Sequence, residues 1–182
     1  MVNQGLHDTL QPFWKAEDVR RYAYWSVFSG GFGFTYGHSA VMQFYRPGDK
    51  EAAYGAKKYW IDAINDPGAG QMQFLKKLML SRPFLERIPD QSLIAGDNGL
   101  KYERLIATRG NDYVLIYTYT GRNIPVQMGK IAGSKVKASW YKPADGTITE
   151  IGEFENAGTH EFDPPGEPAN GNDWVLLLDS VK

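Results

Sequence analysis

The chain has 182 residues, 42% hydrophobic and 23% charged, and contains no cysteine. That balance is globular, and it excludes disulfides and thiolate metal sites. With a formal net charge of −1 there is no basic field to hold a nucleic acid, and no apolar run approaches the ~20 residues of a membrane span.

Residues 1–14 read as irregular, with His7-Asp8-Thr9 and Pro12-Phe13-Trp14 loop-like in character. Their first residues show no basic-then-apolar leader, so the chain as written reads as cytoplasmic. A helix is predicted from near Lys15. Val19, Ala23, Ser26 and Val27 recur at helical spacing, Glu17 and Asp18 suit the first turn, and Gly30-Gly31 ends it. A short strand follows over residues 32–36, with its outlet at Gly37-His38-Ser39, and residues 40–45 form an extended or briefly helical rim. Two helices are expected next, over 54–64 and 70–81. Asn65-Asp66-Pro67-Gly68 stops the first, and Arg82-Pro83 the second. The second shows Met72, Leu75, Leu78 and Met79 on one face and Lys76-Lys77 on the other.

After Pro89-Asp90 the period changes to two. Strands are predicted over 102–108, 112–119, 124–127, 135–141, 147–154, 160–162 and 174–178. They are separated by turns such as Arg109-Gly110-Asn111 and Ala144-Asp145-Gly146. Short strands at even spacing argue for an antiparallel sandwich or barrel. The division falls at residue 88/89. In the first part the predicted strand has no partner, so residues 1–88 read as a cut piece of a larger α/β fold or as something that leans on the β half. The missing neighbours would leave Trp25, Phe28, Phe32 and Phe34 exposed.

Several constellations point weakly to chemistry. Gly31-Phe32-Gly33-Phe34-Thr35-Tyr36-Gly37 approaches a dinucleotide fingerprint but has one residue too many before its last glycine and follows a helix. Gly37-His38-Ser39 approaches a nucleophile elbow, but Val41 stands where the second glycine belongs. His7-Asp8 and His160-Glu161-Phe162-Asp163 lack a second histidine at ligand spacing, so neither a metal nor another cofactor is expected. Trp140-Tyr141 and Trp174 suit a sheet core better than a surface platform.

The run from Arg20 through Tyr24-Trp25-Ser26-Val27-Phe28-Ser29-Gly30-Gly31-Phe32-Gly33-Phe34-Thr35-Tyr36-Gly37-His38 resembles the last strand region of apiosidase-like glycoside hydrolase barrels. So does Ser81-Arg82-Pro83-Phe84 with Pro89-Asp90. Ile106-Ala107-Thr108-Arg109-Gly110, Tyr117-Thr118-Tyr119-Thr120-Gly121-Arg122, Ala138-Ser139-Trp140-Tyr141-Lys142-Pro143, Phe162-Asp163-Pro164-Pro165-Gly166 and Asn172-Asp173-Trp174-Val175-Leu176 are similar to their C-terminal domain, often labelled collagen-binding.

The resemblance implies an α/β fragment, the last βα part of a TIM barrel, followed by an all-β antiparallel sandwich. It implies a C-terminal fragment of a glycoside hydrolase acting on plant-type or complex polysaccharide. Tyr36, His38 and Ser39 would then line the sugar pocket at the strand end, with His7, Asp8 and Trp14 on the loop leaving the preceding strand. The catalytic carboxylate pair is expected upstream of Met1, so the isolated chain should be inert, and no residue here is assigned a catalytic role. The implied partner is an oligo- or polysaccharide, with self-association through exposed barrel-core surface, and the parent protein would be secreted or periplasmic. The alternative is a non-catalytic carbohydrate- or matrix-polymer-binding module.

Overall fold

A computed structural model describes residues 2–4 and 14–181 of the chain. Val2–Gln4 (β1) runs parallel to Tyr36–His38 (β2), with Val2 opposite Tyr36 and Gln4 opposite His38. The stretch expected to be irregular thus contains a strand, and the strand expected to stand alone has a partner. Parallel neighbours require a crossover, and Ala16–Phe28 (α1) supplies it. The second strand is shorter and later than predicted. Among the described residues the ladder runs from Val2 opposite Tyr36 to Gln4 opposite His38.

Ser39–Met42 (α2) follows directly. The helix predicted over 54–64 is absent as such. In its place are a 3₁₀ turn, Ala53–Gly55, and a single helical turn, Trp60–Ala63 (α3). Tyr54 and Gly55 adopt left-handed backbone, φ +55° and +65°, which no right-handed helix can pass through. Pro67–Leu80 (α4) begins earlier than predicted because Pro67 suits the first turn.

The second half is built on one antiparallel sheet of six strands. Ile88–Pro89 (β3), Ile106–Arg109 (β4), Tyr113–Thr118 (β5), Lys135–Tyr141 (β7), Ile148–Glu155 (β8) and Trp174–Ser180 (β10) stand in the order β3-β4-β5-β10-β7-β8. Ile124–Gln127 (β6) pairs with Thr159–Phe162 (β9) and, through Val126, makes an isolated antiparallel bridge to Ile94. The predicted 102–108 strand starts late because Lys101–Glu103 forms a 3₁₀ turn. The sandwich is therefore lopsided, six strands facing two.

Every residue of β5 is buried, because the sheet is covered on both faces. Val114 and Ile116, with Leu176 and Leu178 of β10 and Trp140 of β7, face the β6–β9 pair through Ile124, Val126 and Phe162. The alternate residues Tyr113, Leu115, Tyr117, Val175 and Leu177 face α1 and α4 through Ala23, Tyr24, Phe28, Leu75 and Leu78. Tyr24 stacks on Tyr117 at 4.9 Å, and Phe28 meets the same ring edge-on at 6.5 Å.

That packing corrects the expected bare aromatic face. Phe28 is fully buried, and Trp25 and Phe34 pack against the same cluster; Phe32 alone of the four stands clear in solvent.

A buried ion pair ties the two halves. Arg20 of α1 donates from Nε and Nη2 to the two carboxylate oxygens of Asp173 at 2.8 and 2.7 Å, and the Tyr117 hydroxyl donates to the same carboxylate at 3.2 Å. Burial pushes the Asp173 carboxyl up, against the pull of Arg20 and Tyr117. Desolvation works against the Arg20 charge, yet Asp173 holds that guanidinium above its ordinary value. Beside it, Arg21 is boxed by the rings of Tyr102, Tyr119, Tyr22 and Trp25, its guanidinium carbon 4.3–5.6 Å from their centroids.

Candidate functional site

The carboxyl ends of β1 and β2 lie side by side, Gln4 level with His38. His38 is buried, and both its ring nitrogens are occupied. Nδ1 accepts from the Ala40 backbone N–H at 3.1 Å, which caps α2. Nε2 lies 3.1 Å from Asp66 Oδ2, so Nε2 carries the proton and donates. Burial is the largest influence on the ring and lowers its pKa; Lys58 lowers it further and Asp66 opposes. Asp66 is shared: its other oxygen takes the Lys58 ammonium at 2.5 Å. Tyr36 is half-buried, and burial together with the Asp66 charge pushes its hydroxyl up to about 12. Ser39 is fully buried as the first residue of α2, and its carbonyl accepts from Gln43 Nε2 at 2.9 Å.

Gln43 is the fastener of the loop beyond. It also donates to the Ala53 carbonyl at 2.7 Å and accepts from the Ala53 N–H at 2.8 Å. The Trp60 N–H reaches the Tyr45 carbonyl at 2.8 Å. Around these bonds gather Phe44 against Trp60, centroids 5.8 Å apart, and Tyr45 against Tyr59 at 5.3 Å. His38–Asp66 and Lys58–Asp66 close the base of the loop, so the whole span from β2 to α4 is anchored at both ends.

Two family models match the chain end to end. One, described as "Apiosidase-like, catalytic domain", matches residues 1–86. The other, described as "Putative collagen-binding domain of a collagenase", matches residues 88–179. The second model spans just over half of the chain, and the chain belongs to that family through residues 88–179. Among solved structures, one titled "Glycoside hydrolase" is 57% identical with a TM-score of 0.91, aligned over 97% of this chain and 39% of its own. A glycoside hydrolase family 5 structure from Bacteroides vulgatus ATCC 8482 is 52% identical with a TM-score of 0.91, over 98% and 39% respectively. The chain thus spans about two-fifths of the length of these relatives. Among curated proteins, none matches.

Within the part similar to the apiosidase-like model, the expected pocket residues divide. Tyr36, His38 and Ser39 come together at the strand end. His38, however, has no nitrogen left for a sugar hydroxyl, and Ser39 is sealed in. Trp14 stacks on Tyr22 of α1 at 4.9 Å. His7 and Asp8 lie outside the described residues. The groups that organise this end were not singled out in the sequence: Asp66 reads there as a helix stop and Lys58 as one helix-face lysine among several. The aromatic run Phe44, Tyr45, Tyr54, Tyr59 and Trp60 was in plain view, but without the clasp nothing marks it as one surface. Among the described residues no group of three or more acidic, histidine or cysteine side chains is set to hold a metal, and no helix is long and apolar enough to cross a membrane.

Chemically, the strand end offers position rather than proton transfer. Asp66 is the carboxylate beside His38, and both its oxygens are engaged by cationic or N–H donors.

Proposed function

We propose that this chain forms the closing end of a larger glycoside hydrolase barrel. It supplies one wall of the pocket for a plant-type or complex polysaccharide and carries a β-sandwich accessory domain, with the division near residue 88. The observation that carries this reading is the parallel β1–α1–β2 unit whose strands end together at Gln4 and His38, because (β/α)8 enzymes build their sites at that end. Its relation to two glycoside hydrolases about two and a half times as long supports it.

Glycosidic cleavage uses a pair of carboxylates roughly 5–9.5 Å apart, one of them a proton donor. Asp66, held by Lys58 and His38, suits neither role. The catalytic pair therefore belongs to polypeptide outside these residues, and the chain alone is inert. A parent that degrades polysaccharide works outside the cytoplasm, secreted or periplasmic. The alternative, a polymer-binding module, finds little in the β half: Trp140 and Tyr141 are core residues, and Trp174 is packed against the same core.

The test joins residues 1–182 to the preceding barrel segment of the 57% identical relative. Release of reducing sugar from homogalacturonan, arabinoxylan and mixed-linkage β-glucan is then compared for the chain and the joined protein. The expected result is release by the joined protein only. Hydrolysis by the chain alone, or a folded but inert joined protein whose intact relative is active, would overturn the proposal.

A further inference from the structure

The connection between α2 and α4 occupies residues 43–66, with only a 3₁₀ turn and the single turn α3 inside it, where a helix–helix connection usually needs about 2–8 residues. The extra chain is not slack. Gln43 fixes Ala53 with two hydrogen bonds, one in each direction. The residue after each of these clasped positions, Phe44 and Tyr54, takes left-handed backbone, φ +52° and +55°. Each then holds its ring 64% exposed. A non-glycine residue in that conformation is strained, and an exposed ring forgoes its burial. Glycine would hold the same backbone without the strain. Two such positions flank one clasp, and the Trp60 ring stands edge-on behind Phe44. Strain of this kind persists where it presents a side chain for use.

The loop leaves β2 at its carboxyl end, where barrel enzymes bind substrate. A sugar ring suits two exposed aromatic faces carried on a clasped backbone. Its C–H face is apolar and electron-poor and meets the negative face of the ring, while its hydroxyls stay at the wet edge. We infer that Phe44 and Tyr54 form a stacking platform for a sugar ring of the polysaccharide, at the rim of the pocket wall proposed above and resting on that proposal.

Affinity electrophoresis of the 182-residue chain tests it, in gels containing homogalacturonan, arabinoxylan or mixed-linkage β-glucan. Retardation is expected in at least one gel. The double variant Phe44→Ala/Tyr54→Ala should lose affinity by about tenfold, as two aromatic contacts imply, while Phe44→Tyr keeps it. Phe44→Gly/Tyr54→Gly should lose retardation with a melting temperature equal to or above that of the unsubstituted chain, whereas rings that served only packing would lower it. Equal retardation of the double alanine variant overturns the platform, as does an unsubstituted chain that migrates freely in all three gels. Hydrolysis by the joined protein with no retardation of the chain removes the platform and leaves the enzyme. Retardation with no hydrolysis does the reverse.

Discussion

Replacing Asp173 by alanine should be the most damaging single polar substitution in this molecule. The carboxylate is 2% exposed and its Arg20 partner 7%. Truncation strands a buried guanidinium, removes two charge-assisted hydrogen bonds and unpairs the Tyr117 hydroxyl. Breaking a buried pair from one side costs about 3–5 kcal/mol. For a chain of this length each kcal/mol lowers the melting temperature by about 2–4 °C, so the expected fall is about 6–20 °C. Arg82–Asp179 is the internal control. It is equally short, 2.6 Å, but its carboxylate is 42% exposed, and Asp179→Ala should cost no more than about 1 kcal/mol. Arg20→Met/Asp173→Leu removes both charges together and should recover much of the loss. Melting followed by circular dichroism reads all three variants against the unsubstituted chain. If Asp173→Ala melts no lower than Asp179→Ala, the two halves are not held through this pair.

Three other perturbations follow from contacts already described. His38 has a folded pKa below its unfolded value of about 6.5, so its share of stability is present above that pH and declines as pH falls toward the folded value. Protonating Nδ1 also ejects the Ala40 N–H. The unsubstituted chain should lose more melting temperature between pH 7.5 and 5.5 than His38→Gln; equal losses would refute this. Gly146 has φ +76°, and an added Cβ would lie 2.7 Å from the Phe74 ring of α4, whereas Gly158, φ +72°, has open space. Gly146→Ala should therefore melt lower than Gly158→Ala, and the difference measures the contact of α4 with the β7–β8 turn. Finally, Phe32 and Leu85 are almost fully exposed beside hollows of about 300 Å³ that Phe84 and Met79 also line. Phe32→Ser/Leu85→Ser should reduce both dye binding and any self-association seen by light scattering at high concentration, and an unchanged profile would exclude this patch.

The β half was largely legible because alternation survives even where both faces are covered. Tyr113-Val114-Leu115-Ile116-Tyr117 is apolar throughout, and its odd and even members serve different cores. Trp140 and Tyr141 were rightly expected in the core. The first half was harder. Three residues of β1 carry too little period to announce a strand, and a parallel partner 34 residues away leaves no turn signal between them. The spacing of Tyr54, Ile61 and Ile64 imitates a helix, which left-handed backbone at Tyr54 and Gly55 and extended backbone at Ala56 and Tyr59 break. At the strand end the glycines and His38 were visible as a motif. What His38 does depends on Asp66, 28 positions on, and that pairing is a product of the fold.

The doubly covered sheet has a consequence for how such proteins can be cut and recombined. Tyr117 and Leu177 look as deeply interior from the helical side as Ile116 and Leu176 do from the other. Severing the chain near residue 88 would not release a self-sufficient bead. It would leave two pieces, each with a raw apolar face shaped to its former neighbour. Exchange of the β half between relatives therefore has to carry its helical counterface with it, and a graft that ignores Tyr24, Phe28 and Leu75 inherits a lock without its key.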